Sequence, residues 1–248
     1  MNESFTHLGI TMPTGASASG ATLNSSGVVV ADGFTPFLYR YSPLGEYREA
    51  IPVVRAYKKI SYDYTNDRYI AVGCGCNGLV YILNCRFEEV TQIDPGVSFG
   101  VIEDATPTCN CNIAITFTQS VGLFNSAGEY LQNIKPQNAN VIYYNYLYFC
   151  DGEIYQYCKN GSKYVSFTKN GYGSTNASVP NTVMLKSLIG TDGGGIYGFV
   201  TYKYLYNYIF PIFENGVFSL NSLSDITSLI NSVSSGKCLN NVNGFARD

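Results

Sequence analysis

The sequence predicts an all-β fold built from repeated four-stranded antiparallel meanders. Three observations carry this. The stretch 59–93, KISYDYTNDRYIAVGCGCNGLVYILNCRFEEVTQI, holds four short runs rich in Val, Ile and Tyr, at 60–63, 68–73, 79–84 and 89–93. Each run alternates with a period near two and is bounded by turn residues, as strands are. The second observation is recurrence. The segments YSPLGEYREAI, LNCRFEEVTQI and FNSAGEYLQNI place Glu46, Glu88 and Glu129, and Ile51, Ile93 and Ile134, at intervals of 41 and 42 residues. The third is that one meander cannot bury both of its faces and needs stacked copies of itself.

Taken in order, the chain supplies those copies. In 1–26 the residues are small and polar (GASASGATLNSS); 6–12 reads as a strand and the rest as loop. Strands are expected at 27–32 (GVVVAD), 36–41 (PFLYRY) and 47–51, so the first copy lacks one strand, to come from 6–12 or from the far end of the chain. The second copy is 59–93. A third has strands at 97–102, 112–117, 120–124 and 130–134. A fourth has them at 139–143, 146–150, 153–157 and 164–168, followed by an irregular Asn/Ser/Gly/Thr loop at 169–181. A fifth has them at 184–190, 196–202, 205–213 and 216–220, with an Asn215-Gly216 hairpin signal. A short helix over 224–230, capped by Ser224 or Asp225, and a frayed tail complete the expectation. The domain reading is 1–223 for the repeats, in units of about 6–54, 57–93, 97–134, 138–168 and 183–220, and 224–248 for helix and tail.

Composition sets limits on function. Of 248 residues, 46% are hydrophobic and only 13% charged, with 22 Tyr, 14 Phe and no Trp. A net charge of -3 argues against nucleic acid, whose phosphates need a basic surface. No apolar run of about 18 residues is present to span a membrane. No signal peptide is visible in MNESFTHLGI, so the expected location is the cytoplasm or a surface reached by a non-classical route. The eight cysteines include two C-x-C pairs, Cys74/Cys76 and Cys109/Cys111. That spacing does not match zinc sites, and His7 stands alone, so no metal or cofactor is expected. In a strand, C-x-C puts both thiols on one face, which suits buried, reduced cysteines.

Five consecutive meanders resemble a five-bladed β-propeller, and motifs such as YDYTNDRYIAVG…GLVYILN resemble the degenerate repeat of uncharacterised bacterial propeller proteins. The resemblance spans 26–220 and implies the fold: all-β, five blades of four antiparallel strands, and a short C-terminal helix. It implies little about function. The setting expected is a bacterial cell or spore surface.

Two functional readings remain. The first is a non-catalytic binding or scaffold propeller that engages a glycan or protein through its loop face. Its candidate binding residues are Tyr144, Tyr146, Tyr148, Tyr204, Tyr206 and Tyr208, because tyrosine gives amphipathic contact area at low entropic cost. The plainer account of the same residues is packing between strands. The second reading is a glycoside-hydrolase-like enzyme with Asp32, Asp104, Asp151 and Asp192 in a central funnel, since such enzymes work with paired carboxylates. The plainer account is that aspartates at strand ends cap turns, which serves equally for Asp63 and Asp67. Thr191-Asp192-Gly193-Gly194-Gly195 lacks the Lys-Ser/Thr and the helix of a phosphate loop, and no G-x-S-x-G occurs. The non-catalytic reading is preferred.

Overall fold

The computed structural model describes residues 8–75, 78–108, 111–135, 142–148, 154–160, 164–169, 172–178, 183–190, 196–202, 206–214 and 217–218, and from 142 onward chiefly by their backbone. The fold is all-β and propeller-like: antiparallel four-stranded sheets, each a meander, follow one another along the chain. The first sheet is β2 (Ala18–Asn24), β3 (Gly27–Asp32), β4 (Phe37–Tyr41) and β5 (Tyr47–Pro52). The second is β6 (Tyr57–Asp63), β7 (Arg68–Gly73), β8 (Val80–Leu83) and β9 (Glu89–Ile93). The third is β10 (Ile102–Pro107), β11 (Ile113–Phe117), β12 (Ser120–Phe124) and β13 (Tyr130–Lys135). The fourth is β14 (Ile142–Tyr148), β15 (Ile154–Asn160), β16 (Tyr164–Lys169) and β17 (Tyr172–Ser178). The last comprises β18 (Val183–Gly190), β19 (Ile196–Tyr202) and β20 (Tyr206–Glu214), with β1 (Leu8–Ile10) and β21 (Val217–Phe218) both paired to β20.

Four expectations are corrected. The small-residue stretch read as loop contains β2, the first strand of the first sheet. Its residues are small because it lies against β6: a Cβ on Gly20 would stand 3.0 Å from the Lys59 Cα and 3.2 Å from the Lys58 carbonyl. Smallness here reflects close approach of backbones. The strand expected at 6–12 does form, as β1, but it pairs with β20 (Leu8 opposite Ile209, Ile10 opposite Asn207) and so belongs to the last sheet. In the third copy, 97–102 is not a strand. Val97–Phe99 is a 3-10 turn between Gly96 and Gly100, both at positive φ, and the strand begins at Ile102. In the fourth copy, 142–148 is one strand, and β17 occupies most of the expected irregular loop at 169–181. An outer strand pairs on one edge only, so a polar sequence can form it without an apolar alternation. The expected helix and tail at 224–248 lie outside the described residues.

Two-faced burial explains why the strands are so apolar. Val29 and Ala31 of β3 pack with Ile60, Tyr69, Ala71 and Leu83 of the second sheet. Val28 and Val30, one residue out of phase, pack with Ile189, Phe199 and Ile209 of the last sheet. Ile70 and Val72 of β7 pack with Ala105, Ile113, Ile115 and Phe117 of the third. Each middle strand thus serves two cores, and period-two alternation divides its side chains between them. The first strands neighbour one another in the order β2, β6, β10, β14, β18 and back to β2.

The recurring turn glutamates have a structural role. In each of the first three sheets the turn after the third strand closes with an N–H to carbonyl bond, from Ser42 to Glu46 (2.8 Å), Asn84 to Glu88 (3.0 Å) and Asn125 to Glu129 (3.0 Å). The fourth turn residue has positive φ: Gly45 at 80°, Phe87 at 64° and Gly128 at 88°. The Asn84 amide donates to the Glu88 carboxylate at 2.7 Å and the Asn125 amide to that of Glu129 at 2.6 Å. The glutamates therefore lock the turn.

Candidate functional site

All five first strands carry a β-bulge at the same step. The register shifts between Ala18 and Gly20, Tyr57 and Lys59, Ile102 and Asp104, Tyr143 and Asn145, and Leu185 and Ser187. The extra residues are Ser19, Lys58, Glu103, Tyr144 and Lys186. Bulges re-aim side chains and are frequent near functional sites. Because the five first strands are neighbours, the bulges form a belt at one end of them. Sequence reasoning missed this belt. Its signal was present as like-charge doublets, Lys58-Lys59 and Glu103-Asp104, inside otherwise apolar strands.

The belt is wired between sheets. The Ser19 hydroxyl reaches the carbonyl of Tyr57, the residue before the next bulge, at 2.8 Å, and that of Ala31 at 2.9 Å. The Lys58 ammonium donates to the carbonyl of Ile102, again the residue before the next bulge. At the third sheet this donor series stops. Glu103 accepts a bond from the Thr118 hydroxyl at 3.0 Å. Its neighbour Asp104 is 1% exposed, and its Oδ1 accepts from the Ala105 N–H at 2.8 Å, while Oδ2 has no partner among the described residues. Burial pushes the Asp104 carboxyl up to about 6; Lys59, the Ala105 N–H and Lys58 oppose the rise and Glu103 adds to it. Thr116, directly across the strand pair, is fully buried, and its Oγ1 also lacks a partner among the described residues.

Around the belt, the connecting loops at this end expose apolar side chains. Phe34 is 83% exposed, Val54 72% and Val101 57%. The loops are tied together: Val53 N–H donates to the Pro36 carbonyl (2.9 Å), Cys74 N–H to that of Ala56 (3.0 Å) and Thr118 N–H to that of Val101 (3.1 Å). The Cys74 thiol donates to the Gly33 carbonyl at 3.0 Å.

Of the acids proposed for a funnel, the two among the described residues, Asp32 and Asp104, separate. Asp32 is a turn acceptor: its Oδ1 takes the Phe34 (2.8 Å) and Thr35 (3.2 Å) N–H groups, and its Oδ2 the Thr35 hydroxyl (2.6 Å) and the Ser17 N–H (3.3 Å). Asp104 stands two sheets away, with β6 between. Asp151 and Asp192 lie outside the described residues. Asp63 accepts from Thr65, Asn66 and Arg68 in its own turn. Of the tyrosines, Tyr144 is the bulge residue of β14, so the simple alternation of 144, 146 and 148 is broken there. Tyr146 and Tyr148 follow on the same strand, opposite Gln156 and Ile154. Tyr206 and Tyr208 stand on β20 opposite Tyr202 and Val200, and Tyr204 lies outside the described residues. Cys74, Cys85 and Cys111 are free and exposed, which corrects the expectation of burial for Cys74 and Cys111; Cys74 lies in the loop after β7, and Cys76 and Cys109 lie outside the described residues. Among the described residues no group of three or more His, Cys, Asp or Glu is placed to hold a metal ion, and no helix is long and apolar enough to cross a membrane.

No family model and no curated protein matches the chain. Solved structures do. The chain is similar to Myxococcus xanthus glutaminyl cyclase, with TM-score 0.57 and 12% identity, over 83% of this chain and 92% of that one. It is also similar to a protein of unknown function from Bacteroides thetaiotaomicron, with TM-score 0.55 and 12% identity, over 84% and 76%. Kuenenia stuttgartiensis hydrazine synthase gives TM-score 0.51 at 11% identity over 76% of this chain; the match spans only 57% of that protein. At these identities the likeness concerns the fold alone.

Proposed function

We propose that the chain is a non-catalytic binding propeller of five blades that engages a protein partner through the loop face around the bulge belt. Support for the blade count comes from the closed order of the first strands and from the core that joins the last sheet to the first. In this reading β1 completes the last blade and ties the N-terminal segment into the ring, which removes an open edge.

The observation that carries the binding role is the exposure of Phe34, Val54 and Val101 on one loop face. Large apolar side chains displayed together mark interaction surfaces. Two of the three are aliphatic, which suits a protein surface better than a sugar ring. The enzymatic alternative asks for two carboxylates converging on one substrate. Here Asp32 is saturated by its turn and Asp104 is buried two sheets away, so the binding reading is preferred.

Affinity capture with the immobilised chain, compared with a Phe34→Ser/Val54→Ser/Val101→Ser variant by mass spectrometry, tests the proposal. Proteins retained by the wild type and lost by the variant are expected. Identical profiles would sink it, and glycan-array binding unaffected by the triple variant would transfer the role to a glycan.

A further inference from the structure

The belt repeats one device and then breaks it. Ser19 reaches from the first sheet to a carbonyl of the second, and Lys58 from the second to one of the third. The next step, from the third sheet to the fourth, would need a donor at position 103, but Glu103 is an acceptor when ionised. The equivalent carbonyl in the fourth sheet is that of Tyr143, the residue before the bulge at Tyr144. Beside this missing donor lie two buried oxygens without partners among the described residues, Asp104 Oδ2 and Thr116 Oγ1.

Their placement is specific. Ala105, Ile113, Ile115 and Phe117 face the second sheet. Asp104 and Thr116, opposite each other and one residue out of phase with that set, fall on the other face of the third sheet, against which β14 packs. Directly opposed residues in a sheet have Cβ atoms about 4.5–5.5 Å apart, so both oxygens can address one small group. An unpartnered buried polar atom is costly; ionised Asp104 Oδ2 accepts, and the Thr116 hydroxyl accepts as well as donates, so one cation or donor group can serve both.

We propose that Glu103, Asp104 and Thr116 form a binding position for a small monovalent cation, an alkali ion or a primary ammonium group, at the junction of the third and fourth sheets. The donor set is hard oxygen, which suits such cations and not soft metals. Lys58 and Lys59 act on Asp104 from the second-sheet side and offset the two carboxylates, which disfavours a divalent ion. The bound cation restores at this junction the positive group that Lys58 provides at the previous one.

The test uses thermal melting of the full chain at constant ionic strength, with tetramethylammonium chloride as the reference salt. Replacement by sodium, potassium, ammonium or methylammonium chloride is expected to raise the melting temperature saturably for at least one of them. Thr116→Val and Asp104→Asn should each abolish that increment while leaving melting in the reference salt cooperative. Saturation by sodium or potassium assigns an alkali site, and saturation by ammonium and methylammonium alone assigns an amine ligand. Equal melting in all salts overturns the proposal, as does an increment that survives Thr116→Val. Should Asp104→Asn not fold, Glu103→Gln takes its place under the same criteria.

Discussion

Two ends of the same sheets solve similar problems in opposite ways. At the turn end, the first three sheets use nearly the same residues: Ser42, Asn84 and Asn125 accept two backbone N–H bonds each, and Glu46, Glu88 and Glu129 close the turn. At the belt end, the backbone device is just as regular, one bulge in every first strand, but its residues are of four kinds: Ser, Lys, Glu, Tyr and Lys. Repeated residues at a repeated backbone position indicate a local structural need. Different residues at a repeated position leave the chemistry free to serve something particular to each sheet. The belt, with its broken donor series, is therefore the end where individuality resides.

Substitutions at the two ends should separate their roles. The largest effect is expected from Gly20→Val, because the new side chain meets Lys59 and Lys58 backbone rather than a movable side chain. It should cost about 3 kcal/mol in denaturant unfolding, at the top of the overpacking range. A near-neutral result would mean that the first two sheets are not held at this close approach.

Next comes the pH dependence of Asp104. Its folded value of about 6 lies above the unfolded carboxylate range, so folding favours the protonated form. The contribution to stability is therefore fully present below about pH 4 and is lost as pH rises through about 6. Relative to the wild type, Asp104→Asn should flatten this fall, by on the order of 2 kcal/mol between pH 4 and 7. Parallel slopes for the two proteins would place the buried carboxyl elsewhere.

At the turn end, Asn125→Ala removes the acceptor for the Ala127 and Glu129 N–H groups and the partner of the Glu129 carboxylate. A loss of about 1 kcal/mol is expected, since the turn is exposed and water takes over part of the bonding. Ser42→Ala should cost less, because the Ser42 hydroxyl bonds are longer, 3.2 and 3.1 Å, and its contact to Glu46 is 3.4 Å. The smallest effect on stability is expected for Phe34→Ser, under about 0.5 kcal/mol, because the ring is exposed. Its consequence should appear in partner capture alone.

Much of this was legible before any coordinates. The strands 68–73, 89–93, 120–124 and 196–202 were readable to the residue, because β-branched and aromatic residues between turn residues have few other uses. The turns were legible through Glu and Gly or Asn at fixed offsets. The first strand, 18–24, was not, since its Ala, Gly and Ser residues look like a loop unless the closeness of β6 is known. Nor was 142–148, where a bulge at Tyr144 lets one strand run through a stretch that reads as strand, turn, strand. Of the site, Asp104 was named from the sequence as one acid of a carboxylate funnel; its burial opposite Thr116 was not legible there.

Local sequence specifies the strands, the spacing of the repeats and the turns, because these depend on neighbours a few residues away. Long-range packing sets the rest: β1 joins the last sheet, the bulges align into a belt, and Asp104 is buried opposite Thr116. Those facts depend on which backbones approach one another across separations of 38 to 201 residues, from Ser19 and Tyr57 to Leu8 and Ile209. Burial and partnership arise at those meetings, and no local pattern encodes them.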